Sequence, residues 1–191
     1  MADAPVNFNP LTTTAIDLQQ LLDQNKISSV QIAERYLAQV SRHDPKLHAF
    51  ISLAPRDKLL RAAASLDEER LRGKTRSPLH GIPIVLKDNF VTAAEMGMGT
   101  TAGSWALVDA RAKGNGAIVQ RLVDAGMLVL GKTNMTEFAG MKMTMISPGW
   151  SAVGGQTVSP YTGPIAEGET LLGHSVSGSV SRCLGGTGGG D

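Results

Sequence analysis

The first third of the chain repeats apolar residues at helical spacing. Ala15, Leu18, Leu21 and Leu22 fall on one stripe, which predicts an amphipathic helix. Ser28 followed by Gln31 has the form of a capping box and opens a second helix. Val30, Ala33, Leu37 and Val40 share a face of that helix. Its end is expected before Pro45, because a residue preceding proline avoids helical geometry. Residues 49–53 form a short apolar run and predict a strand. Residues 57–72 predict a third helix, with Leu60, Ala63, Ala64, Leu66 and Leu71 available for burial.

The pattern then shortens. Residues 82–86 read as a compact apolar strand after the turn signal His80-Gly81. Residues 93–104 read as a loop. Residues 117–125 read as a helix with Ile118, Leu122 and Ala125 on one face, and Gly126 is suited to close it. Residues 127–130 predict a buried strand, and residues 134–139 a short helix. This alternation predicts an α/β layer fold with some parallel pairing. Residues 147–168 read as a long surface loop, and a loop of that length is usually functional or disordered. Residues 185–191 are dominated by glycine, leaving little side chain to pack.

Composition narrows the function. The 191 residues suit one domain, and 42% hydrophobic content argues against wholesale disorder. With 18 basic and 17 acidic residues, the net charge of +1 leaves no basic face for nucleic acid. An aromatic content of 4% gives no base-stacking platform. Cys183 is the only cysteine, so no internal disulfide forms. Residues 1–10 lack the basic start and apolar run of a secretion signal. No apolar stretch is long enough to cross a bilayer. The expectation is a cytoplasmic protein with no membrane partner. The sequon Asn134-Met135-Thr136 carries little weight without a secretory signal.

Several segments could carry chemistry. Residues 126–133, Gly-Met-Leu-Val-Leu-Gly-Lys-Thr, satisfy the pattern of a phosphate-binding loop. The four intervening residues favour burial as a strand, and a helix precedes them, so a core strand is the better reading. Lys87 ends the apolar run Ile82-Pro83-Ile84-Val85-Leu86. A lysine there could extend its head to solvent. Held in a partly dry pocket, a lysine loses its charge more readily and can act as a general base. His43, His48, His80 and His174 show no metal-ligand spacing. Asp67, Glu68 and Glu69 read as a solvated helix face. The methionines read first as core filling. The segment Gly173-His174-Ser175-Val176-Ser177-Gly178-Ser179-Val180-Ser181 alternates serine and small residues. It reads as a polar loop, or as a Ser–Lys site if Lys87 reaches it, since a serine nucleophile needs a base.

Two motifs resemble the amidase signature family. One is Leu79-His80-Gly81-Ile82-Pro83-Ile84-Val85-Leu86-Lys87-Asp88-Asn89, and the other is Gly131-Lys132-Thr133-Asn134-Met135-Thr136-Glu137-Phe138-Ala139. A third piece, Ser151-Ala152-Val153-Gly154-Gly155-Gln156-Thr157, resembles a version found in fungal members. The resemblance implies the N-terminal part of the amidase-signature fold: a mixed sheet flanked by helices, with an N-terminal helical segment. It implies hydrolysis of carbon–nitrogen (amide) bonds by a Ser–cis-Ser–Lys triad. Lys87 would be the base, Ser177 and Ser179 the candidates for the bridging serine. Backbone N–H groups would stabilise the oxyanion. No metal and no organic cofactor are implied, and the substrate would be a small-molecule amide.

The serine loop departs from the family pattern, with Val176 or Val180 falling where a central serine is expected. No Asp-x-x-Gly-Ser-Ile-Arg-like nucleophile segment is found before Asp191. The sequence is therefore read as a single partial amidase-signature domain over residues 1–191. Residues 1–10 are expected to be disordered, and residues 182–191 to be a glycine-rich tail. Impaired catalysis is expected, because losing one member of a nucleophilic triad reduces rate by orders of magnitude. The alternative is an inactive remnant or pseudoenzyme that binds a partner. Unpaired strand edges would favour a homo-oligomer or a complementing chain.

Overall fold

The computed structural model describes residues 8–142 and 148–161. Its order is α1 (Ala15–Asp23), α2 (Ser29–Leu47), β1 (Phe50–Leu53), α3 (Arg56–Leu71), β2 (Pro83–Lys87), α4 (Ala117–Asp124), β3 (Leu128–Thr133), β4 (Trp150–Ser151) and β5 (Gly155–Gln156). The fold is α/β with a mixed sheet, as the alternation predicts. β3 lies between β1, which is antiparallel to it, and β2, which is parallel to it. All six residues of β3 are buried. Strand pairs slip by one residue at two places, between Phe50 and Ser52 and between Ile84 and Val85.

Both N-terminal helices begin with a reciprocal cap. Ser28 and Gln31 form the capping box that their spacing predicts. Thr14 and Asp17 form a second one, at the start of α1. α2 buries Ile32, Ala33, Tyr36 and Val40, and Phe8 packs on Tyr36 with ring centroids 6.0 Å apart. The core joins Phe8, Ile32, Ala33 and Tyr36 to Leu18, Leu22, Leu59, Ala63 and Leu66 of the helices and to Leu128, Val129 and Leu130 of β3. Each fully buried leucine or isoleucine contributes about 1.5–3 kcal/mol.

Four local expectations are corrected. α2 runs through Pro45 to Leu47 instead of stopping before the proline. Asp44 makes this extension tenable: its carbonyl accepts from His48 N at 2.9 Å, and its Oδ1 accepts from Ala49 N at 2.8 Å and Phe50 N at 3.0 Å. On α3, Leu59 is buried while Leu71 is 79% exposed, because the inward stripe runs through Leu59, Ala63 and Leu66. On α4, Val119 turns inward and Ile118 is exposed. Residues 148–161 are not simply loop. β4 and β5 pair antiparallel, and Ser151, Thr157 and Ser159 are buried.

The acidic run of α3 is more than a solvated face. Asp67 accepts from Ser29 N at 2.7 Å and from Val30 N at 3.2 Å. It thereby satisfies amides at the start of α2 that have no partner within their own helix. Glu69 pairs with Arg76 at 2.5 Å, and this hydrogen bond holds the Glu69 carboxyl below its ordinary range.

Candidate active site

Lys87 is the last residue of β2, and its register partner on β3 is Thr133. It is half-buried. Among the described residues, its Nζ makes no hydrogen bond or ion pair. Phe90 N donates to Lys87 O at 2.9 Å, so the chain turns away as soon as the strand ends. Ser177 and Ser179 lie outside the described residues, as do Cys183 and the tail 182–191.

The next residue, Asp88, is wholly buried. Its backbone N–H extends the sheet by donating to Thr133 O at 3.1 Å. Its Oδ2 accepts from Thr101 Oγ1 at 2.6 Å, Thr101 N at 3.1 Å and Gly103 N at 3.2 Å. Its Oδ1 faces Lys132 Nζ at 3.5 Å, an ion pair with both side chains out of solvent. That separation exceeds a strong charge-assisted hydrogen bond, and Oδ1 has no hydrogen-bond partner among the described residues. Lys132 Nζ donates to Gly99 O and Thr100 Oγ1, each at 3.1 Å. Burial pulls the Lys132 pKa below its ordinary value, and Asp88 opposes that shift.

This geometry disposes of the phosphate-loop pattern. Residues 128–133 are strand, and Lys132 points into the protein with no exposed surface. The backbone amides that would cradle a phosphate belong to a sheet ladder.

Asn134, just past β3, is also wholly buried, so its sequon is enclosed. Its Oδ1 accepts from Ser151 Oγ at 2.7 Å and Met135 N at 2.9 Å. Its Nδ2 donates to Gly155 O at 3.0 Å and Thr157 Oγ1 at 3.1 Å. Ser151 Oγ in turn accepts from Gly154 N at 2.9 Å. The β4–β5 hairpin is thus fastened to the end of β3. Gly103 runs at φ +77° against this hairpin, where an added Cβ would lie 2.6 Å from Ser151 Cβ. Contact is therefore continuous from Asp88 through Gly103 to Ser151 and Asn134.

Glu137 closes the same region. It is buried, and Lys142 Nζ donates to its Oε1 at 3.1 Å. This hydrogen bond holds the Glu137 carboxyl below its ordinary range. Phe138 and Ala139 follow in the left-handed region, at φ 46° and 56°. Two consecutive non-glycine residues in that region store backbone strain.

Asp88, Lys132, Asn134 and Ser151 do not stand out as functional residues from sequence spacing. One signal is present in hindsight. Lys132 is a charged residue inside an otherwise apolar strand, and a buried lysine requires an acceptor nearby.

A parallel strand that ends in Lys87, a buried Asp88–Lys132 pair next to it and a hairpin fastened to the end of β3 make up the candidate site of this α/β chain. A family model described as Amidase matches residues 31–168, and the chain belongs to that family. A protein named as an amidase in Schizosaccharomyces pombe is 34% identical over 86% of this chain and 27% of its own length. One from Arabidopsis thaliana is 36% identical over 81% of this chain and 30% of its own. The solved native peptide amidase of Stenotrophomonas maltophilia superposes with a TM-score of 0.73 at 43% identity, covering 78% of this chain and 30% of that one. The chain therefore spans less than a third of the length of these relatives. Among the described residues, no helix is long and apolar enough to cross a membrane.

Proposed function

We propose that this chain is the lysine-bearing part of a serine-dependent hydrolase of small-molecule amides, with Lys87 as its general base. The observation that carries the reading is the state of Lys87. It sits half-buried at the carboxyl end of a core strand, with no hydrogen-bond or ion-pair partner among the described residues. Its neighbour Lys132 is committed to Asp88, Gly99 and Thr100. Of the two lysines, Lys87 is the one free to exchange a proton with substrate machinery. In its neutral form it takes a proton from a bridging serine, Ser177 or Ser179. That serine deprotonates the nucleophilic serine, which attacks the amide carbonyl. The leaving amine takes that proton back through the serine relay, and water frees the acyl-enzyme. The scheme needs no metal and no organic cofactor.

The test is hydrolysis of simple aliphatic and aryl amides by the whole chain, with Lys87→Ala as control. Turnover by the chain is expected to be weak, and Lys87→Ala is expected to lower it by at least about a thousandfold. Turnover unaffected by that substitution would overturn the role of Lys87. A second reading is a non-catalytic member of the family that associates with another chain. Absence of turnover together with a complex on sizing chromatography would select it.

A further inference from the structure

Asp88 is held more completely than its neighbour Lys87. Three donors converge on Oδ2, Lys132 faces Oδ1, and its N–H is bound to Thr133 O. These contacts leave its backbone little freedom. Successive residues of a strand point to opposite faces. A residue fixed on the inner face therefore sets where the preceding side chain emerges. A slip of one position would turn Lys87 inward.

The choice of residue types points the same way. A buried ion pair is no better for stability than apolar residues of equal volume. What a carboxylate adds is direction: it gathers the amides of Thr101 and Gly103 and orders loop 99–103 against the strand end. Gly103 then passes the alignment to Ser151 and Asn134. The end of the strand that carries Lys87 is thus built around one carboxylate.

We propose that Asp88, held by Lys132, is a positioning residue that sets the direction and surroundings of the Lys87 amine. The proposal rests on the reading of Lys87 as the base, but it can fail or stand separately.

The experiment uses the whole chain with its lysines ¹³C-dimethylated, the Lys87 resonance being assigned through Lys87→Arg. Asp88→Asn keeps the shape of the side chain and removes its charge. Thr101→Val removes a single bond to Oδ2 and is the milder variant should Asp88→Asn fail to fold. Asp57→Asn, at an exposed i,i+4 pair with Arg61, is the control. Asp88→Asn and Thr101→Val are expected to move the Lys87 resonance, with Asp57→Asn leaving it in place. Where the chain turns over amides, Asp88→Asn is expected to lower kcat about tenfold or more with KM little changed. A Lys87 resonance and kcat unmoved in a folded Asp88→Asn or Thr101→Val variant would overturn the positioning role and leave the base role intact. A chain without turnover whose Lys87 resonance still answers to Asp88 would uphold the positioning role and remove the proposed catalysis.

Discussion

Gly126 stands against the ring of His80: a Cβ added to it would lie 2.6 Å from His80 Nδ1. The ring is fully engaged. Nδ1 accepts from Arg76 N at 3.2 Å, so the proton sits on Nε2 and is donated to Leu66 O at 2.9 Å. Gly126 also runs at φ +83° and accepts from Gly81 N at 2.8 Å, just before β2. Gly126→Ala is expected to destabilise the chain by about 2–4 kcal/mol, combining left-handed strain with overpacking. Gly73, at φ +68° with nothing within 4 Å of an added Cβ, supplies the strain alone. Gly73→Ala should cost about 1 kcal/mol. Urea midpoints of the two variants measure the difference.

The Asp88–Lys132 pair predicts a non-additive cycle. Lys132→Met leaves the Asp88 carboxylate buried without its counter-charge and should cost about 3–5 kcal/mol. The double variant Asp88→Asn with Lys132→Met should be more stable than the sum of the single losses by about 1–3 kcal/mol. Equilibrium unfolding of all four proteins gives the coupling. Strict additivity would mean that the two charges do not interact.

Acid should loosen the chain partly through Glu137 and Glu69. Hydrogen bonds from Lys142 and Arg76 hold these carboxyls below their ordinary value of 4.5 in the folded protein. The unfolded chain therefore binds more protons as pH falls. Their contribution is present above about 4.5 and disappears as pH drops through the folded values. Glu137→Gln should flatten the fall in melting temperature on the acid side. Lys142→Met should do the same, which would distinguish the pair from a general charge effect.

Ser151 tests the difference between a buried hydroxyl and a reactive one. Ser151→Ala strands Gly154 N, leaves Asn134 Oδ1 with Met135 N as its donor, and should cost about 1–3 kcal/mol. It should leave labelling by a serine-directed fluorophosphonate unchanged, because the hydroxyl has no exposed surface. Asn134→Asp should cost more than Ser151→Ala. It replaces a donor facing Gly155 O with an acceptor. Mass spectrometry and thermal unfolding separate the two effects.

Much of this was legible in the order of residues, for local reasons. Ser28–Gln31, the apolar run before Lys87 and the run into Thr133 each state their element in a few positions. Pro45 misled because the remedy lies in the Asp44 side chain and amides at residues 48–50, which no helix rule inspects. Ile118 and Leu71 misled because several apolar residues of a helix compete for one inward stripe, and the packing partner chooses among them. Asp88, Asn134 and Ser151 were hidden for a third reason. Their role depends on partners as far as 44 positions away, and polar residues give no periodic signal of burial. Lys87 is marked by its motif, whereas the lack of a partner for its amine among the described residues shows only beside the fully engaged Lys132.

Thr157 Oγ1 donates to His48 O at 2.9 Å, a contact between residues 109 positions apart. Val158 N reaches Leu47 O at 2.8 Å over a similar separation. Such contacts come late in folding, since the entropy of closing so long a loop must be met before they form. The end of α2 must already have turned at His48, and β3 must already present Asn134, before the hairpin has anything to dock on. Assembly of this corner is therefore sequential, and the hairpin should gain hydrogen-exchange protection after the three-stranded sheet. A ribosome releases residue 48 long before residue 157, so the acceptor waits through 109 residues of synthesis for its donor.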